Sequence, residues 1–305
     1  MPSVSSLAEA SAFLAAAHGD RRSVRIGDDL TNEGLDRILE HEAGDLTCTV
    51  ESGVRLSTLE RTLAGHGQRL SLDPPGEPTV GALLAENLSG PLRHRFGAPR
   101  DLVLGVTLVL ADGTVANAGG KVVKNVAGYD LGRLVCGSQG RLAFIARASF
   151  RLHPLPRSTR TLVTEPGDVA AAVAALLRSP LQPSALDVLH PGRVAVLFEG
   201  AERAVEAQLV AASRLIGGVE AGPEVWEESR ARQAVARGRV RFDPGRLAET
   251  LADLSEAVVR PAAGVAYVQN RMPRGSESRG SDSSGTLERL LASIRRELDP
   301  HGIFE

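Results

Sequence analysis

A chain of 305 residues with ordinary apolar content can form two domains, each with its own core. The net charge of −2 excludes a strongly basic surface of the kind that binds nucleic acid or an anionic membrane. The chain has two isolated cysteines, Cys48 and Cys136, and no C-x-x-C motif. This pattern gives no support for a disulfide framework or an iron–sulfur cluster within the chain, and buried free thiols are expected.

The N-terminal segment is not predicted to be a signal peptide, because MPSVSSLAEASAFLAAAHGD lacks a basic start and a long apolar core. The longest mainly apolar stretch, around Val169–Leu177, is too short to cross a bilayer and is expected to be an amphipathic helix. We therefore predict a cytoplasmic protein. Any attachment to the inner face of the membrane is expected to occur through partners.

The first predicted elements lie before residue 70. Ser5–Ala17 carries apolar residues at helical spacing, with Ser5 or Ser6 as the N-cap. Ser23–Ile26 and Leu46–Val50 are predicted to be strands, and Val54–Leu63 is predicted to be a helix with its leucines turned inward.

An extended turn and a capped helix follow. The prolines of Leu72–Pro78 remove backbone donors and restrict φ. Thr79–Asn87 can then start a helix with Thr79 as its cap and Gly81 in the first turn. Free N–H groups beside a bare glycine would form an anion site. On residue pattern alone, an ordinary capped helix is the favoured explanation of this stretch.

The next predicted features are a polar loop and a hairpin. Asn87–Gly97 is rich in glycine and cations, so Arg93 or Arg95 could meet a phosphate or a partner's carboxylate, or both could be solvated. Leu102–Leu110 is a predicted strand, an Asp-Gly turn follows, and Thr114–Asn117 is the return strand.

Gly119–Gly140 holds six glycines and both lysines of the chain, Lys121 and Lys124. Its glycines allow the backbone to approach a ligand closely, although spacing alone slightly favours a glycine-rich connection with solvated lysines. Asp130–Val135 is predicted to be a short helix capped by Asp130, and Leu142–Phe150 is predicted to be a strand.

Beyond the prolines at 154 and 156, the pattern alternates strands with helices and predicts an α+β cap. Trp226 is expected to be a packing anchor, and residues 274–285 have the composition of a flexible linker. The remaining predicted elements are strands at Thr161–Thr164, Ala185–Leu189 and Val194–Glu199, and helices at Asp168–Leu177, Ala201–Ile216 and Thr286–Leu298.

The run GGKVVKNVAGYDLGRLVCGSQGRLAFIARASFRLHPLP resembles the flavin-loop signature of FAD-dependent oxidases and dehydrogenases of the vanillyl-alcohol oxidase/PCMH type. Within that superfamily it is most similar to glycolate oxidase FAD-binding subunits. The resemblance extends upstream through Leu72–Val109 and, more weakly, through Leu35–Val54.

The resemblance implies an α+β fold with a two-subdomain FAD-binding domain of the PCMH type over residues 1–155. A reduced α+β cap over 156–285, including the linker, and a C-terminal helical segment over 286–305 would follow. Gly119–Gly140 is then expected to line a cleft between the first domain and the cap. The chain departs from the family where a triple-glycine phosphate loop is expected, since only Gly27 is present, followed by Asp28 and Asp29.

The family match, rather than spacing, also implies roles for individual residues. Lys124, with Lys121 second, would contact a phosphate or raise the electron affinity of the flavin. The FAD is expected to be non-covalent, because no histidine lies at the shortened phosphate loop. The full set of expected cofactor-binding residues is Thr79, Val80, Gly81, Ser89, Gly90, Gly119, Gly120, Lys124, Asn125, Gly128, Tyr129 and Ile145.

By resemblance the chain is an FAD-binding subunit of a complex that oxidises glycolate or a related D-2-hydroxy acid. Its implied partners are a second FAD-containing catalytic subunit and an iron–sulfur subunit. The seven histidines form no H-x-H or H-x-x-x-H pair, so no metal ligands or catalytic residues are assigned. We expect no activity from this chain alone. A flavin-poor structural subunit is the alternative, and a stand-alone dehydrogenase is disfavoured by the missing histidine motif.

Overall fold

The structure is a computed structural model that describes residues 3–120, 130–269 and 292–304. Its mixed helices and strands confirm the predicted α+β class. The elements of the first half are α1 (Leu7–Gly19), β1 (Ile38–Glu42), β2 (Thr47–Glu51), α2 (Leu56–Ala64), β3 (Gln68–Arg69), α3 (Val80–Ala85), α4 (Arg93–Phe96), α5 (Pro99–Leu102), β4 (Val103–Val109), β5 (Val115–Gly119), α6 (Leu131–Val135), β6 (Phe144–Arg151) and β7 (His153–Pro154).

The second half continues with strands and helices, and residues 292–298 are helical. Its elements are β8 (Ser158–Thr164), α7 (Val169–Arg178), β9 (Ala185–His190), β10 (Arg193–Gly200), α8 (Glu202–Ile216), β11 (Val219–Ala221), α9 (Glu224–Ala234), β12 (Gly238–Arg241), α10 (Leu247–Ala252), β13 (Ala257–Arg260) and β14 (Val265–Val268).

A five-stranded antiparallel sheet, in the order β1-β2-β6-β4-β5, organises the first half. Side chains alternate between the faces of a strand, so Val50, Val106 and Phe150 share one face. The apolar sides of α2 and α3, including Leu59 and Leu83, pack against that face and complete a core. This packing holds the start of α3 beside the end of β2.

The last described residues return to the first half of the chain. Phe304 pairs with Val24 in a parallel bridge, and both side chains are buried in a second core that includes Leu14 on α1. The Asp299 carboxylate accepts hydrogen bonds from the N–H groups of Ile303 (2.6 Å) and Phe304 (2.8 Å). The predicted strand at residues 23–26 is therefore reduced to isolated bridges.

A seven-stranded antiparallel sheet, in the order β11-β8-β10-β9-β13-β14-β12, organises the second half. Helices α7, α8 and α10 cover one face, where Val196 and Phe198 are buried. On the other face Trp226 of α9 packs with Leu197 and with Leu92 of the first half, and its Nε1 donates to Thr161 Oγ1 (2.9 Å). The prediction that Trp226 is a packing anchor is confirmed.

Sequence reasoning missed α9 and strands β11–β14. α9 lacks a simple apolar stripe, because its buried side includes Ser229 and Gln233 as well as Trp226. β12 has the sequence GRVR, and four residues are too few to establish a period. The predicted linker at 274–285 and the beginning of the last predicted helix lie outside the described residues.

Candidate functional site

A cavity of about 480 Å³ opens between residues 26–33, helix α3 and residues 139–145. Three of the expected cofactor-binding residues, Thr79, Gly81 and Ile145, line it. Among the described residues, its walls all come from the first half of the chain. The middle of the stretch expected to line a cleft with the cap, residues 121–129, lies outside the described residues, so that expectation stays a prediction. The full lining is Ile26, Gly27, Thr31, Asn32, Glu33, Thr79, Gly81, Ala82, Ala85, Glu86, Gln139, Gly140, Ala143, Phe144 and Ile145.

The start of α3 differs from the expected anion site. Thr79 does cap the helix, accepting a hydrogen bond from Ala82 N at 3.3 Å. However, Val80 N donates to the Val54 carbonyl (2.9 Å) and Gly81 N donates to the Ser52 carbonyl (2.7 Å). The expectation of free N–H groups here is wrong, because the helix docks directly onto the segment that follows β2. Its backbone donors are used inside the protein.

Gly81 is required by close packing rather than by a free approach for phosphate. A Cβ at this position would lie 2.4 Å from Asn32 Nδ2 and 3.2 Å from Ser52 Cβ. The Asn32 side chain is held there by hydrogen bonds to the Ser52 carbonyl and hydroxyl, at 2.9 and 3.1 Å. This arrangement shapes the cavity floor without adding a donor for an anion.

The turn that follows α6 builds the opposite wall. Gly137 N donates to the Leu84 carbonyl and Gln139 N donates to the Ala85 carbonyl, at 3.0 and 2.8 Å, so the turn is fastened to the end of α3. Gly140 has a φ of 76°, in the left-handed region that favours glycine. The turn leads into β6 and places Ile145 in the cavity.

The two carboxylates expected to repel a pyrophosphate do not line the cavity. Asp28 and Asp29 each lie 3.7 Å from Arg25, and Asp29 Oδ2 also accepts a hydrogen bond from Arg25 N at 2.9 Å. Instead, the carboxylates of the lining are Glu33 and Glu86, and no arginine among the described residues lines it. A bound pyrophosphate would therefore need its positive partners from elsewhere.

The remaining expected residues lie in other places. Gly119 and Gly120 line a separate cavity of about 440 Å³ over the polar face of the first sheet. Ser89 and Gly90 are buried against the second half, and a Cβ at Gly90 would lie 1.7 Å from the Asp73 carbonyl oxygen. The expected residues Lys124, Asn125, Gly128 and Tyr129, together with Lys121, lie outside the described residues.

A third cavity, of about 340 Å³, brings together charged groups that sequence reasoning did not connect. It lies between α2, residues 73–77 and α9, and Asp73 and Arg230 face each other in it at 3.8 Å. Burial raises the pKa of the Asp73 carboxyl to about 7, although Arg260, the Leu92 N–H and Arg230 oppose the shift. No local pattern could have revealed this pair, since 157 residues separate its members (230 − 73).

Histidines and cysteines supply no recognisable reactive centre in the part of the chain that the structure describes. His18 contacts His301, and His41 contacts His66, with ring centroids 4.6 and 4.7 Å apart. No group of three or more histidine, cysteine, aspartate or glutamate side chains there could hold a metal ion. Burial raises the pKa of both cysteine thiols to about 12, so both are protonated at neutral pH. Cys48 is buried as expected, whereas Cys136 is only partly buried, so the expectation of a buried thiol is wrong at that position.

None of the helices that the structure describes is both long enough and apolar enough to cross a bilayer.

Residues 28–119 match a family model described as an FAD binding domain. Glycolate oxidase subunit GlcE of Escherichia coli is 33% identical over 225 residues, which are 70% of this chain and 63% of that relative. Glycolate oxidase subunit GlcD of Bacillus subtilis is 33% identical over 173 residues, covering 55% of this chain and 37% of the relative. The chain thus spans less than two thirds of either relative's length.

A D-lactate dehydrogenase of Archaeoglobus fulgidus is 38% identical over 125 residues, which are 41% of this chain and 28% of the relative. A solved structure of alkyldihydroxyacetonephosphate synthase superposes with a TM-score of 0.72. That superposition covers 99% of this chain and 74% of the other, at 16% sequence identity, and it supports the fold alone.

Proposed function

Because this chain belongs to the FAD-binding proteins of the PCMH type, we propose that it is the FAD-binding subunit of a complex that oxidises a 2-hydroxy acid. Glycolate or a related D-2-hydroxy acid is the proposed substrate. The single observation that carries the proposal is the similarity to glycolate oxidase subunit GlcE over 70% of the chain. The 480 Å³ cavity, lined by three of the expected cofactor-binding residues, supports it.

The residues present fit part of the cofactor. Thr79, Gly81 and Ile145 leave an open, partly apolar cavity beside α3, which suits an uncharged portion of FAD. The carboxylates of Glu33 and Glu86 would repel a phosphate, so a bound pyrophosphate would need cations that lie outside this cavity lining. Lys121 and Lys124 are the proposed source. When bound, FAD would supply the electron-transfer chemistry of the subunit, since a flavin can take up two electrons and release them singly.

The proposed partners are a second FAD-containing catalytic subunit and an iron–sulfur subunit. The similarity to subunits named GlcE and GlcD supports a multi-subunit assembly, and the partner identities rest on the family resemblance. We place the oxidation of the substrate on the catalytic partner, so the isolated chain should not reduce a dye with glycolate. Any contact with the membrane would come through these partners.

A flavin-poor structural subunit is the second candidate. It is favoured by the start of α3, where the Val80 and Gly81 N–H groups already bond to carbonyl oxygens. The two glutamates of the cavity lining favour it as well. In that role the cavity would hold no flavin, and the chain would serve only in the assembly of the complex.

Absorption spectroscopy of the purified chain, recorded before and after incubation with FAD and desalting, distinguishes the two candidates. A retained flavin band near one FAD per chain is expected for a redox subunit. Ala82→Leu, which fills the cavity, should lower FAD retention, whereas Ala171→Leu on an exposed part of α7 should not. A protein that stays colourless in every case would refute the redox proposal and support the structural one.

A further inference from the structure

The polar face of the first sheet, opposite α2 and α3, carries a cavity of about 440 Å³, which we call the polar-face cavity. Side chains alternate along a strand, so the neighbours of the buried core residues point to this face. Register brings Arg147 of β6 beside Thr107 of β4, and Thr107 beside Asn117 of β5. In the next row Thr49 of β2 lies beside Ser149 of β6. All five residues line the cavity.

Two glycines leave the middle of the polar-face cavity open. Gly105 of β4 lies beside Ser149, and Gly119 of β5 lies beside Gly105. Neither glycine has a side chain to fill the space above the sheet, so the backbone itself forms the floor. Gly119 has a φ of 77°, and a Cβ there would lie 2.2 Å from the Leu104 carbonyl oxygen. The packing of the two strands therefore requires glycine at this position.

Arg147 supplies the cavity with a positive charge that no carboxylate contacts. Its side chain forms no hydrogen bond or ion pair with any residue that the structure describes, and its Nε is buried without a partner. Glu51, opposite Arg147 in β2, acts on it by charge, but its two carboxylate oxygens already bind Arg37 at 2.8 and 3.1 Å. Glu40 also lines the cavity and has a partner of its own. An unpartnered buried donor favours a ligand that can accept its hydrogen bond.

Neutral groups around Arg147 offer further donors. The Thr107 hydroxyl donates to Asn117 Oδ1 (2.8 Å), which leaves the Asn117 Nδ2 hydrogens for a ligand. The Thr49 and Ser149 hydroxyls lie 2.8 Å apart, and their mutual hydrogen bond uses only one of their two hydrogens. The polar-face cavity thus combines one fixed cation with neutral donors on either side of a bare floor. This arrangement suits an oxyanion that accepts hydrogen bonds from several directions.

We propose that the polar-face cavity binds a small phosphate monoester, with the phosphate at Arg147 and at the hydroxyl pair of Thr49 and Ser149. The tetrahedral phosphate accepts from the guanidinium fork and from a hydroxyl at once. The polar body of the ester lies over the glycine floor and reaches Asn117. Since β6 and β5 are two strand spacings apart, about 10 Å, inorganic phosphate alone cannot contact both ends.

This site is independent of the proposed FAD site. Among the described residues, the polar-face cavity shares no lining residue with the 480 Å³ cavity, and the two lie on opposite sides of the sheet. Saturating FAD should therefore leave binding of a phosphate monoester unchanged. Loss of FAD binding would refute the proposed function without affecting this proposal.

Isothermal titration calorimetry of the full chain with glycerol 2-phosphate, at constant ionic strength, tests the site. Saturable binding is expected, and glycerol, which has no phosphate, should give none. Arg147→Gln should weaken binding about tenfold or more, the effect of losing a charged hydrogen bond. Arg151→Gln is the matched control, because Arg151 is an exposed arginine on the same strand that does not line the cavity.

A second variant tests the other end of the cavity. Asn117→Ala should weaken binding of glycerol 2-phosphate but leave the weaker binding of inorganic phosphate unchanged, a difference that a general loss of folding would not produce. Thermal unfolding of each variant is recorded by circular dichroism on the same samples. The proposal would be overturned by the absence of saturable binding, by equal binding to Arg147→Gln and the unmodified chain, or by displacement of the ester by FAD.

Discussion

Arg260→Met should destabilise this protein far more than the loss of an ordinary surface arginine. In the native structure Arg260 donates to Gln233 Oε1 (2.7 Å) and to the Ser89 carbonyl (3.3 Å), and it faces Asp187 at 3.4 Å. Asp187 has no exposed surface, so removing the guanidinium leaves a buried carboxylate without its cation and with the Ser229 hydroxyl as its hydrogen-bond donor. Breaking such a pair costs roughly 3–5 kcal/mol of unfolding free energy.

Urea unfolding followed by far-UV circular dichroism measures the change, with the m-value checked for constancy. Arg160→Met is the matched control, since Arg160 forms a 2.7 Å ion pair with Glu220 while both side chains are nearly half exposed. The control should lose no more than about 1 kcal/mol. Adding Asp187→Asn to Arg260→Met should recover part of the lost stability, because it removes the orphaned charge. If Arg260→Met loses no more than the control, or the second substitution destabilises further, the buried-pair reasoning is wrong.

Three further outcomes are expected. Burial raises the folded-state pKa of Asp73 to about 7, so the folded state holds this proton more tightly than the unfolded state, and the group's contribution to stability falls from about pH 4 to pH 7. Asp73→Asn should flatten this fall in unfolding free energy when unfolding is measured across the pH range. An unchanged slope would contradict the prediction. Gly81→Ala should lower the unfolding free energy measured in urea by about 1–3 kcal/mol, because the added Cβ would lie 2.4 Å from the carboxamide nitrogen of Asn32. Gly167→Ala is the control and should be nearly neutral, since no atom lies within 4 Å of its Cβ. Equal losses in the two variants would count against the packing role of Gly81. Cys48, which is buried and has its thiol pKa raised to about 12, should react with Ellman's reagent only after unfolding, and rapid labelling of Cys48 in the native protein would refute its burial.

Helix starts were predicted well from sequence. The hydroxyl of Ser6 and the carboxylate of Asp130 each accept a hydrogen bond from a backbone N–H three residues on, as a capping pattern requires. The central strands β4, β6 and β10 were also found, because their apolar residues extend over enough positions to show a period. Strands of four residues or fewer, such as β12 and β14, carried too little pattern to be found.

The candidate site was predicted less completely. Thr79 and Ile145 do line one cavity, while Ser89 and Gly119 lie elsewhere, and the Gly81 N–H that was expected to be free bonds to a carbonyl. The family resemblance predicts which stretches of the chain contact the cofactor. It does not state whether a given N–H remains available, since that depends on how α3 docks against its neighbours.

The sequence by itself determined the fold class and the helix caps, because these depend on hydrogen bonds and periodicities within a few residues of one another. Only the tertiary structure decided which charged groups meet. Ser89 and Arg260 are 171 residues apart, yet they are joined where the 87–92 loop packs on β13. Their meeting depends on the order of strands in the second sheet and on its packing against the first half, and no local pattern encodes either.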